Sequence, residues 1–185
     1  MKEVEGFKKR KRTALRELLE DIEWILFVVI VVMVLQNYVI VNARIPSGSM
    51  ETTIMTGDRV FGNRLAYRKE KPERGDIVIF KYPDNENELF IKRIIGLPGD
   101  KIEIIDGLVY INDATEPLEE PYLNVVPVGS YGPYEVPEGH YFMLGDNRNS
   151  SKDSRLWKNP YVAENKILAK AVFRYFPFDK IGTIE

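Results

Sequence analysis

The chain has 185 residues, with 26 basic and 28 acidic side chains, one histidine, no cysteine and a formal charge of −2. The lack of cysteine excludes thiol proteases, disulfide scaffolds and thiolate metal sites, and a single histidine cannot furnish an imidazole cluster for zinc. A near-neutral balance argues against a nucleic-acid partner, which needs a basic footprint, so the expectation is chemistry without metal or cofactor.

The first element in chain order is a basic leader, residues 1–23, in which Lys8-Lys9-Arg10-Lys11-Arg12 and Arg16 precede an apolar run. Trp24 to Leu35 is unbroken apolar sequence, and after Gln36-Asn37-Tyr38 come Val39, Ile40 and Val41. Residues 24–41 carry no charge and predict a helix of about 27 Å, close to the ~30 Å hydrocarbon layer. The basic leader predicts a single-pass plasma-membrane anchor, with the N-terminus cytoplasmic and residues 42–185 outside. A buried core helix and a cleavable signal compete with this reading, since Val41-Asn42-Ala43 resembles a small-x-small cleavage site. The long leader and apolar region favour a retained anchor.

Beyond the anchor the pattern is mostly strand, which predicts a mainly β, antiparallel domain over residues 42–185. Residues 76–82 and 90–95 are β-branched and aromatic runs flanking the polar turn Pro83-Asp84-Asn85-Glu86-Asn87, and they read as neighbouring antiparallel strands. Residues 101–105 and 108–112 flank Asp106-Gly107, a two-residue hairpin signal in which glycine supplies positive φ. Residues 113–136, rich in Pro, Glu and Gly, predict an irregular excursion; residues 140–144 and 170–175 predict further strands.

Neither a G-x-S-x-G elbow nor an S-x-x-K motif is present, which lowers the odds of an α/β-hydrolase or a penicillin-binding enzyme. A triad would have to use His140, which sits at the entry to a strand, where a partly exposed histidine is commonplace. The remaining base for a serine is a lysine, whose pKa must fall by about 3 units to be mostly neutral at pH 7. Strand alternation places Lys92 between Phe90 and Ile94 on one face, although a lysine that protects an edge strand gives the same pattern. Serines cluster in Ile45-Pro46-Ser47-Gly48-Ser49-Met50, where proline and glycine permit a sharp backbone able to expose a nucleophile.

The combination resembles a family. IPSGSM at 45–50, GD at 57–58, RGDIVIF at 74–80, IKRIIGLPGD at 91–100 and GDNRNSSKDSR at 145–155, in that order behind an apolar segment, are similar to the bacterial type I signal peptidases. The resemblance covers about residues 24–160. It implies a serine-lysine dyad of Ser49 as nucleophile and Lys92 as general base. It further implies an oxyanion hole from the Ser47 hydroxyl and the Ser49 amide, Ser151 positioning the lysine amine, and Asp153 with Arg155 as a bracing ion pair. Where the family often has proline after S-M-x, this chain has Thr52.

The implied reaction is acyl transfer to Ser49, and the implied substrates are exported preproteins cut after small residues at the first and third positions before the bond. By position, Met50, Phe90 and Ile91 are candidates for the substrate pockets, with core packing as the competing role. Ser49 lies eight residues beyond Val41, a link of at most ~28 Å, so the bilayer is an expected partner. Trp157 and residues 173–178 are candidates for an aromatic membrane patch. The expected molecule is a monomer. A self-cleaving peptidase of the repressor type and a catalytically dead, membrane-tethered β module stand as alternatives; the apolar segment argues against the first and the intact serines and lysine against the second.

Overall fold

A computed structural model describes residues 2–184, with side chains described from Arg16 to Ile184. Two compact units result, residues 1–39 and 40–185. The first is helical: α1 spans Lys2–Val34 and continues as a π-helical turn over Leu35–Val39. The basic run Lys8–Arg12 lies outside the described side chains.

The remainder of the expected anchor is corrected by the structure. Ile40 and Val41 are not helical but open β1 (Ile40–Arg44), paired with β2 (Arg59–Asn63). Val41 is buried against Ile79 and Ala169, so its β-branched side chain serves a sheet, a role that an apolar run cannot signal by itself. Upstream, Glu17, Glu20, Asp21 and Glu23 interrupt apolarity within α1. Among the described residues no helix is long and apolar enough to cross a membrane.

The second unit is antiparallel β throughout. β3 is Ile77–Tyr82, β4 Asn85–Gly96, β5 Lys101–Ile105, β6 Leu108–Ile111, β7 Tyr131–Glu135, β8 His140–Leu144, β9 Tyr161–Ala163, β10 Ile167–Phe176 and β11 Gly182–Thr183. The large sheet has the order β1-β2-β10-β3-β4-β8-β9, with β11 beside β10, and β6-β5-β7 form a small second sheet. The turn between β3 and β4 is tighter than expected, because Asn85 already pairs with Tyr82 across a bulge. Each face of β4 has its own core, as a pleated strand requires. Ile94 packs with Val78, Phe80, Tyr141 and Met143, whereas Ile95 packs with Ile102, Phe142 and Leu144. Trp157 is buried against Phe80, Tyr82 and Phe90, so it belongs to the core and not to a membrane patch; Phe178 is 78% exposed.

The β5–β6 hairpin has the expected turn, with φ of 49° at Asp106 and 86° at Gly107. A Cβ on Gly107 would overlap the Pro127 carbonyl, so this turn needs glycine for space as well as for φ. Gly107→Ala should cost at least about 2 kcal/mol, because left-handed strain and that overlap add. Asp106→Gly, at the neighbouring position, should change stability by under about 0.5 kcal/mol. Urea midpoints followed by Trp157 fluorescence check the pair, and equal midpoints for the two variants would refute the close approach.

Candidate active site

Ser49 is held by the turn that follows β1. Ile45 N–H donates to Asp58 O at 2.9 Å and Gly57 N–H to Ile45 O at 2.8 Å, which tethers both ends of the loop. Gly48–Met50 makes a single 3-10 turn. Met50 is fully buried among Ile45, Ile54, Val60, Ile77 and Ala171, so it pins the turn to the core. On the opposite side the loop after β8 grips the backbone: Asn147 N–H donates to Ser49 O at 3.1 Å and Asn147 Nδ2 to Gly48 O at 3.0 Å.

Lys92 comes from the middle of β4. It pairs with Val78 of β3, while β8 takes over the other side of β4 from Arg93 onward. Only 3% of Lys92 is exposed; its Nζ lies 2.6 Å from Ser49 Oγ and 2.9 Å from Ile91 O. A buried, inward-reaching lysine is not the solvated edge residue that the strand pattern also allowed. Burial in this apolar surrounding pushes its pKa down from 10.5 to about 8, against the opposing pull of Asp153 and Asp146. In the ammonium form Nζ donates to Oγ, and in the amine form the serine O–H donates to the nitrogen lone pair.

Around this pair the remaining predicted residues separate into groups. Ser151 is buried, and its Oγ has no hydrogen-bond partner. A Cβ on Gly145 would overlap both Ser151 Oγ and Ser49 O, so Gly145 is the spacer that lets the two serines approach one backbone point. Asp153 and Arg155 form the expected ion pair, with Nε to Oδ1 and Nη2 to Oδ2 both at 2.8 Å, and Asp153 also accepts from Gly145 N–H at 3.1 Å. Ser47 is exposed and makes no cap bond to the turn it precedes. Phe90 and Ile91 are half-buried on β4. His140 is at the far end of β8, paired with Ala163, with Nδ1 2.9 Å from Glu138 O.

Sequence reasoning missed the polar frame beneath the pair. Arg93 and Asp146 make a buried bidentate contact, Nε to Oδ1 at 2.9 Å and Nη2 to Oδ2 at 2.7 Å, and Asp146 also accepts from Thr53 Oγ1 at 2.5 Å. Arg148 pairs with Glu120 of the excursion, Nη1 to Oε2 at 2.8 Å, and Tyr122 lies 3.8 Å below the Arg93 guanidinium. Asn124 Nδ2 donates to Thr52 Oγ1, so the residue standing at the family's proline position gives the excursion a polar handle that proline lacks. Partners 28 to 93 residues apart leave no local signal. Only the charged types in the GDNR stretch hinted at them.

Comparison with known proteins gives this arrangement its class, a peptidase. The family described as "Signal peptidase, peptidase S26" matches residues 18–176. Probable signal peptidase I-2 of Synechocystis sp. is 40% identical over 161 residues, covering 84% of this chain and 72% of the relative. Signal peptidase I of Leptolyngbya laminosa is 37% identical over 174 residues, covering 90% and 84%. A crystal structure of a signal peptidase I from Enterococcus faecalis aligns at 34% identity over 55% of this chain and 97% of that chain, with a TM-score of 0.47. The chain belongs to the signal peptidase family, peptidase S26.

The lowered Lys92 pKa has a thermodynamic consequence whose sign is fixed. Between about 8 and 10.5 the unfolded chain binds the proton more tightly, so stability rises with pH through that window. Below about pH 8 the native state carries the whole penalty, about 3 kcal/mol. Lys92→Met, of similar length and without charge, should therefore be more stable than the natural chain at pH 7, with the advantage shrinking toward pH 10. Urea unfolding at the two pH values measures the difference, and a pH-independent gap would contradict a desolvated ammonium.

Proposed function

We propose that the chain is a membrane-bound serine endopeptidase that removes signal peptides from exported preproteins after small-x-small sites, using Ser49 and Lys92. The observation that carries this reading is the 2.6 Å approach of Lys92 Nζ to Ser49 Oγ in a desolvated setting. Neutral Lys92 takes the Ser49 proton as Oγ attacks the scissile carbonyl, and the developing oxyanion meets the Ser49 amide and the Ser47 hydroxyl. The resulting ammonium gives its proton to the leaving amine, and a water activated by the regenerated amine releases the acyl group from Ser49. Asp153 and Asp146 favour the charged lysine, so they stabilise it at the moment it is formed. The unpartnered Ser151 Oγ is the acceptor for a second N–H of the amine, which aims the lone pair at Ser49.

Substrate enters along β4. Among the described residues no strand pairs with the β8 side of β4 before Arg93, which leaves an open edge at Phe90 and Ile91 for an extended peptide. Alternate substrate residues then point toward the protein beside Phe90 and Ile91, while fully buried Met50 acts by packing the turn that carries Ser49. The anchor is the uncharged stretch from Trp24 to Val39, whose apolar side chains are exposed all round, Trp24 at 68% and Ile25 at 62%. Such a surface is costly in water and favoured in lipid.

Ser49→Ala and Lys92→Ala should each abolish preprotein cleavage while unfolding remains cooperative. Ser47→Ala should lower kcat by roughly 10²–10³, the loss expected for one oxyanion donor, and His140→Ala should be nearly silent. Activity should climb with pH through about 8, because the amine is the working form. Inactivity of His140→Ala equal to that of Ser49→Ala, or activity falling from pH 6 to 9 in a folded enzyme, would overturn the lysine assignment.

Cleavage of Ala-x-Ala preproteins, read by mass spectrometry, tests the specificity. Phe, Lys or Asp immediately before the bond should block the cut. If a bulky or charged residue there is cut as fast as alanine, the pocket assignment fails. Protease added outside right-side-out vesicles should digest residues 42–185 and spare residues 1–20; a protected C-terminal domain would overturn the topology.

A further inference from the structure

Away from Ser49, at the opposite end of β2, lies a cavity of about 360 Å³ lined by Arg64, Tyr67, Arg68, Pro72, Glu164 and Asn165. The arginines elsewhere in the folded β unit that carry buried side chains have acidic partners: Arg93 with Asp146, Arg148 with Glu120 and Arg155 with Asp153. Among the described residues neither half-buried Arg64 nor exposed Arg68 has a side-chain hydrogen bond or ion pair; Nε of Arg64 is buried without a partner, as is that of Arg148, but Arg148 is held through its Nη atoms by Glu120 and Arg64 is held by no acidic group. A buried charged donor without an acceptor is a cost the fold does not normally leave standing. Glu164 is the one carboxylate on the wall, and its Oε2 accepts from Tyr141 Oη at 3.3 Å. Two guanidiniums against one carboxylate leave the cavity net positive.

We infer that this cavity is a binding site for a phosphate-bearing anion, taken up in a fork between the Arg64 and Arg68 guanidiniums. Guanidinium N–H groups match phosphate oxygens in paired geometry, and a cavity of this size takes a phosphate ester with part of its substituent and not merely a small ion. The position favours a lipid source. Arg64 follows Asn63, which pairs with Ile40, the first residue after the apolar helical segment, at a Cα separation of about 5 Å. The headgroup of an anionic phospholipid is therefore the expected occupant. Preference for a lipid over free phosphate rests on the membrane reading above; the anion site itself does not.

The test uses the full chain in a neutral detergent, carrying Ser49→Ala so that binding is read apart from cleavage. Titration calorimetry is run with dihexanoyl phosphatidylglycerol, dihexanoyl phosphatidylcholine and inorganic phosphate. The expected result is saturable binding of the anionic lipid, weakened at least ~10-fold by Arg64→Gln with Arg68→Gln, and changed less than ~2-fold by Lys69→Gln with Lys71→Gln, which removes the same charge outside the cavity. Phosphate binding alone that responds to the same arginine pair supports the anion site with a soluble source. Anion binding that ignores the arginine pair, or that falls equally with the lysine pair, overturns it. On a Ser49 background the arginine pair should still cleave preprotein, which shows that the variant folds. Loss of cleavage in the natural chain would count against the peptidase reading and leave the anion result to stand by itself.

Discussion

A primary amine kept out of water is the constraint around which the β unit is organised. Lys92 could lie on the surface at no electrostatic cost, yet it is buried against Ser49 Oγ with its pKa lowered to about 8. Holding it there requires walls that do not relax toward solvent. The large sheet supplies them by pairing β4 with β3 at Lys92 and with β8 from the next residue onward, with a separate apolar core on each face. Desolvation alone would drive the pKa further down than useful, and the carboxylates of Asp153 and Asp146 oppose it. The balance leaves a group that is mostly ammonium at pH 7 and mostly neutral amine above about pH 8.

Those carboxylates are themselves buried charges, and each is neutralised by an arginine with matching fork geometry, Arg155 for Asp153 and Arg93 for Asp146. Buried ion pairs add little net stability, but removing one partner is costly because the other is left alone in a poor solvent. The pairs therefore act as rigid spacers. Arg93–Asp146 ties the loop after β8 to β4 and Asp153–Arg155 braces that loop internally, while Asn147 and Gly145 of the loop meet the Ser49 and Gly48 backbone. The excursion at 113–136 joins the same frame through Glu120, Tyr122 and Asn124, which explains why a stretch lacking long strands is nonetheless ordered.

What could be read from the sequence was local. Asp106-Gly107 specified its hairpin because two successive positive φ values have a residue signature, and β3, β8 and β10 were visible as β-branched and aromatic runs. Short β2, β7 and β9 were not, since three residues in β9 and five broken by glycine in β2 and β7 lack a detectable period. The Ile40-Val41 boundary was lost for another reason: an apolar run looks the same whether it faces lipid or a sheet. For Lys92 the pattern of one strand left edge protection and a catalytic amine undivided, and burial removes the solvated edge role. Arg93 with Asp146 had no sequence signal because their contact spans 53 residues.

The misread boundary changes how Ser49 is connected to the start of the sheet. As a free link, the residues between Val41 and Ser49 would allow any separation up to about 28 Å. Instead, five of the residues after the helical segment are a strand in register with β2, about 17 Å of rigid backbone, and the next turn is tethered at Ile45 and pinned by Met50. Distance from the first sheet residue to Ser49 is thus a property of the folded sheet and not of a flexible leash. Residues resembling a cleavage site at Val41-Asn42-Ala43 are committed to pairing with Gly62, Phe61 and Val60, so the same strand that fixes this distance keeps the chain's own segment from lying extended across Ser49.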